Sequence, residues 1–311
     1  SGQTSDQIGE WLSACCHKYK RPAFVMVDYT KYDSTINEAT RDFSNEVCTR
    51  CGIRKHPPVH EALLTDDKQA GYTRHGIYYE TDYGTGSGRA NTTTKNSKVN
   101  AGITLAALKQ HDMYDTAVAG DDNLIVGEAD YLQHHWYDLV EFAQDLGFEP
   151  KARYSENIYE VDFCSKIPYP AYDFEKKQDV IVFGPKLGKL LHKLGWNLNK
   201  AGVKSQAQTM RELMKSCRHV PFIYEFANAV NRRLTDRSYK HVSDPSYWDT
   251  TKSYGVSEML FPWVLTPRYG LTPADLLEFI QLLDELPPTL DPPVVVQYPK
   301  INYWCEVDDS M

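Results

Sequence analysis

A chain of 311 residues can bury one or two sizeable cores, and its 41% hydrophobic, 24% charged and 12% aromatic residues exclude a disordered or low-complexity polypeptide. Seven cysteines, an odd number, argue for reduced thiols over a disulfide framework; apolar runs of only a few residues, such as Val294 to Val296, leave no membrane-spanning segment, and Ser1 to Glu10 lacks a signal-peptide pattern, so a cytosolic setting is expected. The net charge of −8 counts against a nucleic-acid partner, yet Lys186 to Arg218 holds eight basic residues against one acid, Glu212: either a stripe that tracks a phosphate backbone or a solvated helix face.

In chain order, Ala23 to Val27 reads as a strand ending at Asp28, and Ile36 to Cys51 as a helix stopped by Gly52. The glycine-rich loop Gly84 to Gly88 opens a second helix, Thr92 to Gln110, with Val99, Ile103, Ala106 and Ala107 at helical spacing. Thr116 to Ala119 and Leu124 to Val126 flank Gly120-Asp121-Asp122-Asn123, a hairpin with both aspartates at its tip. Tyr131 to Leu146 predicts a helix ended by Gly147, and Val161 to Tyr172 a strand with a proline-marked turn. Beyond Val180 the pattern is helical and basic, with helices at Phe222 to Leu234 and Pro273 to Leu286, then a Pro-rich segment, Pro287 to Pro299. The alternation predicts an α+β fold with a domain boundary near residue 175 and no internal repeat.

Two acidic groups, Asp28 with Asp33 and Asp121 with Asp122, lie at predicted strand ends. Carboxylates converging from different strands are what two-metal phosphoryl transfer requires, with Mg2+ ions about 3.5 to 4 Å apart. Mg2+ takes oxygen ligands and keeps waters and substrate phosphates in its shell, so few protein ligands suffice. Taken singly, Gly120-Asp121-Asp122 reads equally well as a solvated Asp-rich turn, and for Asp28-x4-Asp33 that plain reading is the better one. Their order, with a third element between them, decides for chemistry.

That element is Ser87-Gly88-x3-Thr92-x3-Asn96. The series Asp28-x4-Asp33, Ser87-Gly88-x3-Thr92-x3-Asn96 and Gly120-Asp121-Asp122 resembles motifs A, B and C of the RNA-dependent RNA polymerases of positive-strand RNA viruses. The resemblance implies a right-hand polymerase fold: an antiparallel palm sheet flanked by helices over residues 1–175, a partial fingers insertion at about 53–83, and a mostly helical thumb with a C-terminal extension over 176–311. It implies template-directed RNA synthesis from ribonucleoside triphosphates on an RNA template and primer. Asp28 and Asp121 would be the main Mg2+ ligands, with Mn2+ able to substitute, Asp122 an auxiliary ligand, and the Tyr29 carbonyl within reach of a metal. Asp33 and Asn96, aided by Ser87, Gly88 and Thr92, would recognise the ribose 2′-hydroxyl, the group that separates RNA from DNA precursors.

Gly147-Phe148-Glu149-Pro150-Lys151 is similar to motif D, which makes Lys151 the general acid toward pyrophosphate, with Lys166 as its competitor. Asp162-Phe163-Cys164-Ser165 is similar to motif E, which holds the primer end; its plain alternative is an edge hairpin with a buried cysteine. Only 27 residues precede Asp28, whereas the family's fingers precede motif A, so most of the fingers is expected to come from a missing region or other replicase components. Lys55, Lys68 and Arg74 would then substitute in triphosphate contacts. The expected location is the host cytoplasm, in a viral replication complex.

Cys48-x2-Cys51-x4-His56-x3-His60 has the ligand types and spacing of a small Zn2+ site, against the plain reading of a helix face with one core cysteine. His134-His135 reads as surface and the neighbourhood of Trp196 as thumb core. Two other functions fit the composition: a reverse transcriptase, disfavoured by Asn96 and by Ala119 where a tyrosine would precede the hairpin, and a non-catalytic RNA-binding or assembly module, disfavoured by four retained carboxylates.

Overall fold

The computed structural model describes residues 3–65, 69–81, 83–86, 91–194, 202–234, 252–290, 294 and 298–310. It divides into two compact units, Cys15–Asn157 and a second formed by Ser1–Ala14 with Ile158–Met311, each mixing helices with antiparallel strands. No described helix is long and apolar enough to cross a membrane.

The first unit runs from the end of α1 (Ser5–Lys18) through β1 (Pro22–Tyr29), the single turn α2 (Tyr32–Thr35), α3 (Glu38–Arg50), α4 (Pro57–Thr65) and the hairpin β2 (Gln69–Tyr72) and β3 (Tyr78–Thr81). It continues through α5 (Thr92–Ala107), β4 (Tyr114–Ala119), β5 (Asp122–Glu128), α6 (Ala129–Asp145) and β6 (Pro150–Ser155). Its sheet has the order β4-β5-β1-β6, antiparallel throughout, with Val25 opposite Ile125 on one side and Tyr154 on the other. β1 is a continuous apolar run because it is central and buried on both faces. Ala23, Val25 and Val27 pack with Val99 and Ile103 of α5 and with Leu132 and Leu139 of α6. Burying side chains of this size stabilises by about 1.5–3 kcal/mol each.

The helix expected over Ile36 to Cys51 begins two residues later, because Asn37 turns its side chain back to cap it. Its Oδ1 accepts from Thr40 N at 3.1 Å, Thr40 Oγ1 accepts from Asn37 N at 3.1 Å, and Asn37 Nδ2 donates to the Leu146 carbonyl at 2.9 Å. The expected helix to Gln110 stops at Ala107, and Leu108 already has extended backbone.

The second unit contains β7 (Lys166–Asp173), β8 (Gln178–Pro185), α7 (Leu187–Lys193), α8 (Gly202–Ser216), α9 (Pro221–Arg233), β9 (Gly255–Val256), α10 (Thr266–Tyr269), α11 (Pro273–Asp284) and α12 (Ile301–Ser310). Its sheet is ordered β8-β7-β9. The expected strand from Val161 starts only at Lys166, since Phe163 and Lys166 exchange backbone bonds of 2.9 and 3.1 Å around Cys164 and Ser165. Both of these have positive φ (54° and 57°), the two-residue I′ geometry that twists with a hairpin. Residue 175 lies in the turn joining β7 to β8, inside this unit.

Phe222, Phe226, Phe279, Tyr298 and Trp304 form the aromatic centre of its core. α12 crosses α7 so closely that a Cβ on Gly188 would lie 2.3 Å from the carbonyl carbon of Trp304; only glycine fits. Asp308, fully buried, caps α7: its Oδ2 accepts from the amides of Gly188 (2.8 Å) and Lys189 (3.1 Å), and its Oδ1 from Tyr269 Oη (2.7 Å). The basic stripe is therefore not uniformly solvated. Lys186 is buried, ion-paired with Asp162 and bonded to the Asp308 carbonyl, and Lys189 pairs with Asp309 at 2.9 Å. Lys200 and Trp196 lie outside the described residues.

His219 is buried in this core with Tyr169 and Tyr254 ring centroids 5.9 and 6.4 Å away, and its Nε2 has no hydrogen-bond partner among the described residues. Burial pulls its pKa from 6.5 down to about 4. Between those values the unfolded chain binds the proton and the folded chain does not, so stability rises with pH through that window and is lost on acidification. The expected cost from pH 7 to pH 4 is up to roughly 3 kcal/mol. Urea melts across this range should show the slope in wild type and a shallower one in His219→Phe.

Candidate functional site

The geometry of the first unit's site is organised by one face of α5. Asn96 Nδ2 donates to Asp33 Oδ1 at 2.6 Å, which ties α5 to the short helix after β1. Four residues on, Asn100 Nδ2 donates to the carbonyls of Asp121 (2.7 Å) and Gly120 (3.3 Å), and Ser97 Oγ accepts from Gly120 N at 2.7 Å. Thr92 Oγ1, one turn before Asn96, donates to the Gly86 carbonyl at 2.7 Å. Thr92, Asn96, Asn100 and Thr104 recur every four residues, so they share one side of the helix and reach three chain segments at once.

The turn they hold is tight. Ala119 pairs with Asp122, leaving Gly120 and Asp121 as a two-residue loop, and of these only Gly120 has positive φ (70°), the pattern of a type II′ turn. Asp122 is thus the first residue of β5 rather than part of the tip. Beneath it Asn123 is buried with its amide fully used: Nδ2 donates to Thr104 Oγ1 (2.7 Å) and Asn100 Oδ1 (3.1 Å), and Oδ1 accepts from Thr116 Oγ1 (2.7 Å). Ser97, Asn100, Thr104 and Asn123 do not stand out in the sequence. The four-residue polar spacing is the signal for Asn100 and Thr104; Ser97 and Asn123 carry none.

Tyr32, also buried, donates its hydroxyl to the Asn96 carbonyl at 3.2 Å and packs with Tyr29 and Phe148 at centroid distances of 4.9 and 5.1 Å. Burial pushes the Tyr32 hydroxyl pKa far up, and neighbouring Tyr29 and the Asp121 and Asp33 carboxylates add to the rise. It stays a neutral donor. Around Asp33, Thr85 N donates to the Asp33 carbonyl at 2.8 Å, while Thr85 Oγ1 and Asn96 Oδ1 are buried with no hydrogen-bond partner among the described residues. Buried polar atoms of this kind are uncommon.

Asp28 lies exposed near the end of β1, where its Oδ1 accepts from Tyr29 N at 2.8 Å. The β1–β5 register ends at Val27 opposite Asn123, so Asp28 and Asp122 are the next residues outward on adjacent strands; on the other side Asp28 faces Lys151 of β6. Among the described residues, no three His, Cys, Asp or Glu side chains gather closely enough to hold a metal ion. Asp28, Asp121 and Asp122 are therefore neighbours rather than a closed ligand set. Their chemistry, hard oxygen donors at the ends of the two inner strands and in the turn beside them, fits Mg2+, which completes its shell with water and phosphate oxygens. Ser87, Gly88 and Lys68 lie outside the described residues.

Lys166, the competitor to Lys151, belongs to the second unit, where its Nζ donates to Ser5 Oγ at 3.0 Å and burial draws its pKa down. The expected zinc set is not assembled. Cys48 is met by Lys98 of α5, whose Nζ lies 2.7 Å from Sγ, while Cys51 and His56 are exposed. Gly52, with φ of 89°, turns the chain into the 3-10 segment Ile53–Lys55, and that turn separates the cysteines from His60.

A family model described as viral RNA dependent RNA polymerase matches residues 1–255. An RNA-directed RNA polymerase of Atlantic halibut nervous necrosis virus is 28% identical over 286 residues, covering 84% of this chain and 27% of that protein. The chain thus spans about a quarter of the relative's length.

Two outcomes follow from the site's geometry. Asn100→Ala strands the buried Asn123 amide and two turn carbonyls, and should lower stability by about 1–3 kcal/mol in urea denaturation. The purified chain should carry no stoichiometric zinc by atomic emission, and Cys51→Ser should leave the thermal midpoint unchanged.

Proposed function

Because the chain belongs to the viral RNA-dependent RNA polymerase family, we propose that it carries the palm of such an enzyme and extends an RNA 3′ end with ribonucleotides directed by an RNA template. The observation that supports this best is the α5 face, which bonds Asp33 and the Gly120-Asp121 turn together and so unites the three motif-bearing segments. In this reading the sheet around β1 is the palm and the helices beyond residue 176 serve as the thumb. The partners are an RNA template and primer, ribonucleoside triphosphates, and further replicase segments or proteins that complete the fingers, in a replication complex in the host cytoplasm.

Asp28 and Asp121, with Asp122 as auxiliary, would hold Mg2+ or Mn2+, which when bound would activate the attacking 3′-hydroxyl and neutralise charge on the triphosphate. Asp33 fixes the Asn96 amide so that Asn96 Oδ1 is left to accept from a ribose 2′-hydroxyl, and a deoxyribose would leave that buried acceptor unpaired. Thr92 orients the segment before α5 through its bond to Gly86, and Ser87 and Gly88, next in the sequence, would add to the ribose contacts. Lys151, across the strand from Asp28, is the proton donor to the leaving pyrophosphate.

Primer extension on an RNA template with Mg2+ tests this. Ribonucleotides should be added and deoxyribonucleotides refused; Asp121→Ala should reduce the rate at least about a hundredfold, and Asn96→Ala should cut the ribose preference about tenfold or more while RNA binding persists. Extension that survives Asp121→Ala would refute the assignment.

A further inference from the structure

The β2–β3 hairpin stands apart from the core of its unit. It is a separate two-stranded sheet, and every residue of β3 is exposed. Its large side chains face outward: Tyr72 is 74% exposed, Ile77 65%, Tyr78 50% and Tyr79 47%. Two-stranded hairpins are marginal on their own in water, and a cluster of exposed aromatics on one is the mark of a binding surface. Its geometry is nonetheless well defined. Thr73 N donates to the Ile77 carbonyl at 2.8 Å, Ile77 N to Thr73 Oγ1 at 3.1 Å, and Gly76 takes φ of 80° at the end of a three-residue tip, Arg74-His75-Gly76.

The two faces of the ribbon carry different aromatic surfaces. Tyr72 and Tyr78 are cross-strand partners with ring centroids 5.2 Å apart. On the opposite face Tyr79 lies across Gly71, so close that a Cβ there would sit 2.9 Å from its hydroxyl. Arg74, at the tip, is exposed and has no hydrogen bond or ion pair among the described residues, while the carboxylate on the ribbon, Glu80 of β3, lies toward its base and accepts from the Tyr78 hydroxyl. Exposed π faces beside a tip guanidinium match a strand of stacked bases joined by phosphates.

The hairpin also leads directly to the candidate site. β3 ends at Thr81, and Thr85 N is bonded to the Asp33 carbonyl, so the end of the ribbon lies within about 14 Å of that contact along the chain. We propose that the β2–β3 hairpin is a stacking platform for single-stranded RNA, with Tyr72, Tyr78 and Tyr79 bearing bases and Arg74 a phosphate. The occupant's class rests on the polymerase reading; the surface itself does not.

The test is fluorescence anisotropy with a labelled single-stranded RNA 10-mer and an RNA duplex of equal length, at fixed and then graded salt. The Tyr72→Ala/Tyr78→Ala double variant should lose about tenfold or more in single-strand affinity, in line with stacking worth roughly 1–3 kcal/mol per base. Tyr72→Phe/Tyr78→Phe, which keeps the rings, should restore it, and duplex affinity should not move. Arg74→Ala should reduce the salt slope by about one phosphate contact. Because these side chains are exposed, the thermal midpoint should be unchanged, which separates lost binding from lost fold. Unaltered single-strand affinity in the alanine variant, or an equal loss on the duplex, overturns the proposal. So does concentration-dependent self-association in sedimentation that the variant abolishes, since the ribbon would then be a protein interface. Asp121→Ala, which should abolish extension and leave this binding intact, keeps failure of the platform distinct from failure of the catalytic reading.

Discussion

The bond between Asn96 and Asp33 and the bonds from Asn100 and Ser97 to the Gly120-Asp121 turn arise from one helix, and most of what the first unit does depends on that fact. A helix face is rigid, so segments attached to it at four-residue intervals keep fixed mutual positions. The attachment is polar and buried. In a low-dielectric setting the fully bonded part of this network, Asn100, Thr104 and Asn123 with the turn, confers uniqueness, whereas losing one of its members costs more than an apolar core would. Asn123 and Thr104, which face no substrate, are as much a part of the site's precision as the aspartates they steady.

The sequence made the three motifs legible because their chemistry is local: an acidic residue after an apolar strand, a glycine that permits a sharp turn, an asparagine at fixed spacing on a helix. Asp122 as the start of β5, rather than half of a tip, required the Ala119–Asp122 pairing, which spacing does not reveal. The polar stripe is legible only as far as Asn96, because beyond it the helix shows its apolar period and nothing in the spacing says what Asn100 and Thr104 meet. For Cys48 the error was of another kind. Ligand spacing says which side chains are near along the chain, not which residue from a remote segment, here Lys98, meets one of them. Lys186 shows the same limit, since a basic residue in a basic run turned inward to meet Asp162.

The first unit distributes its stability unevenly. The sheet around β1 is buried on both sides and backed by α5 and α6, while β2 and β3 rely on their own ladder and a closed tip. Local opening should concentrate where buried contacts are few. A ribbon of this kind can yield to a ligand without disturbing the strands that present Asp28 and Asp121. Its base is nonetheless secured beside the site, by Tyr83 under the Arg41 guanidinium at 4.9 Å and by Thr85 on Asp33.

In the second unit, the partner that completes α7 is far away along the chain. The amide of Gly188 and the carboxylate of Asp308 are 120 residues apart. Ribosomes add about 5–20 residues per second, so a nascent chain spends roughly 6–24 s with α7 synthesised and its N-terminal amides uncapped. Through that interval Leu187 and Leu191 have neither α12 nor Trp304 to cover them. Packing around α7 is therefore completed only after α12 has been synthesised, and until then its aliphatic side chains stay uncovered.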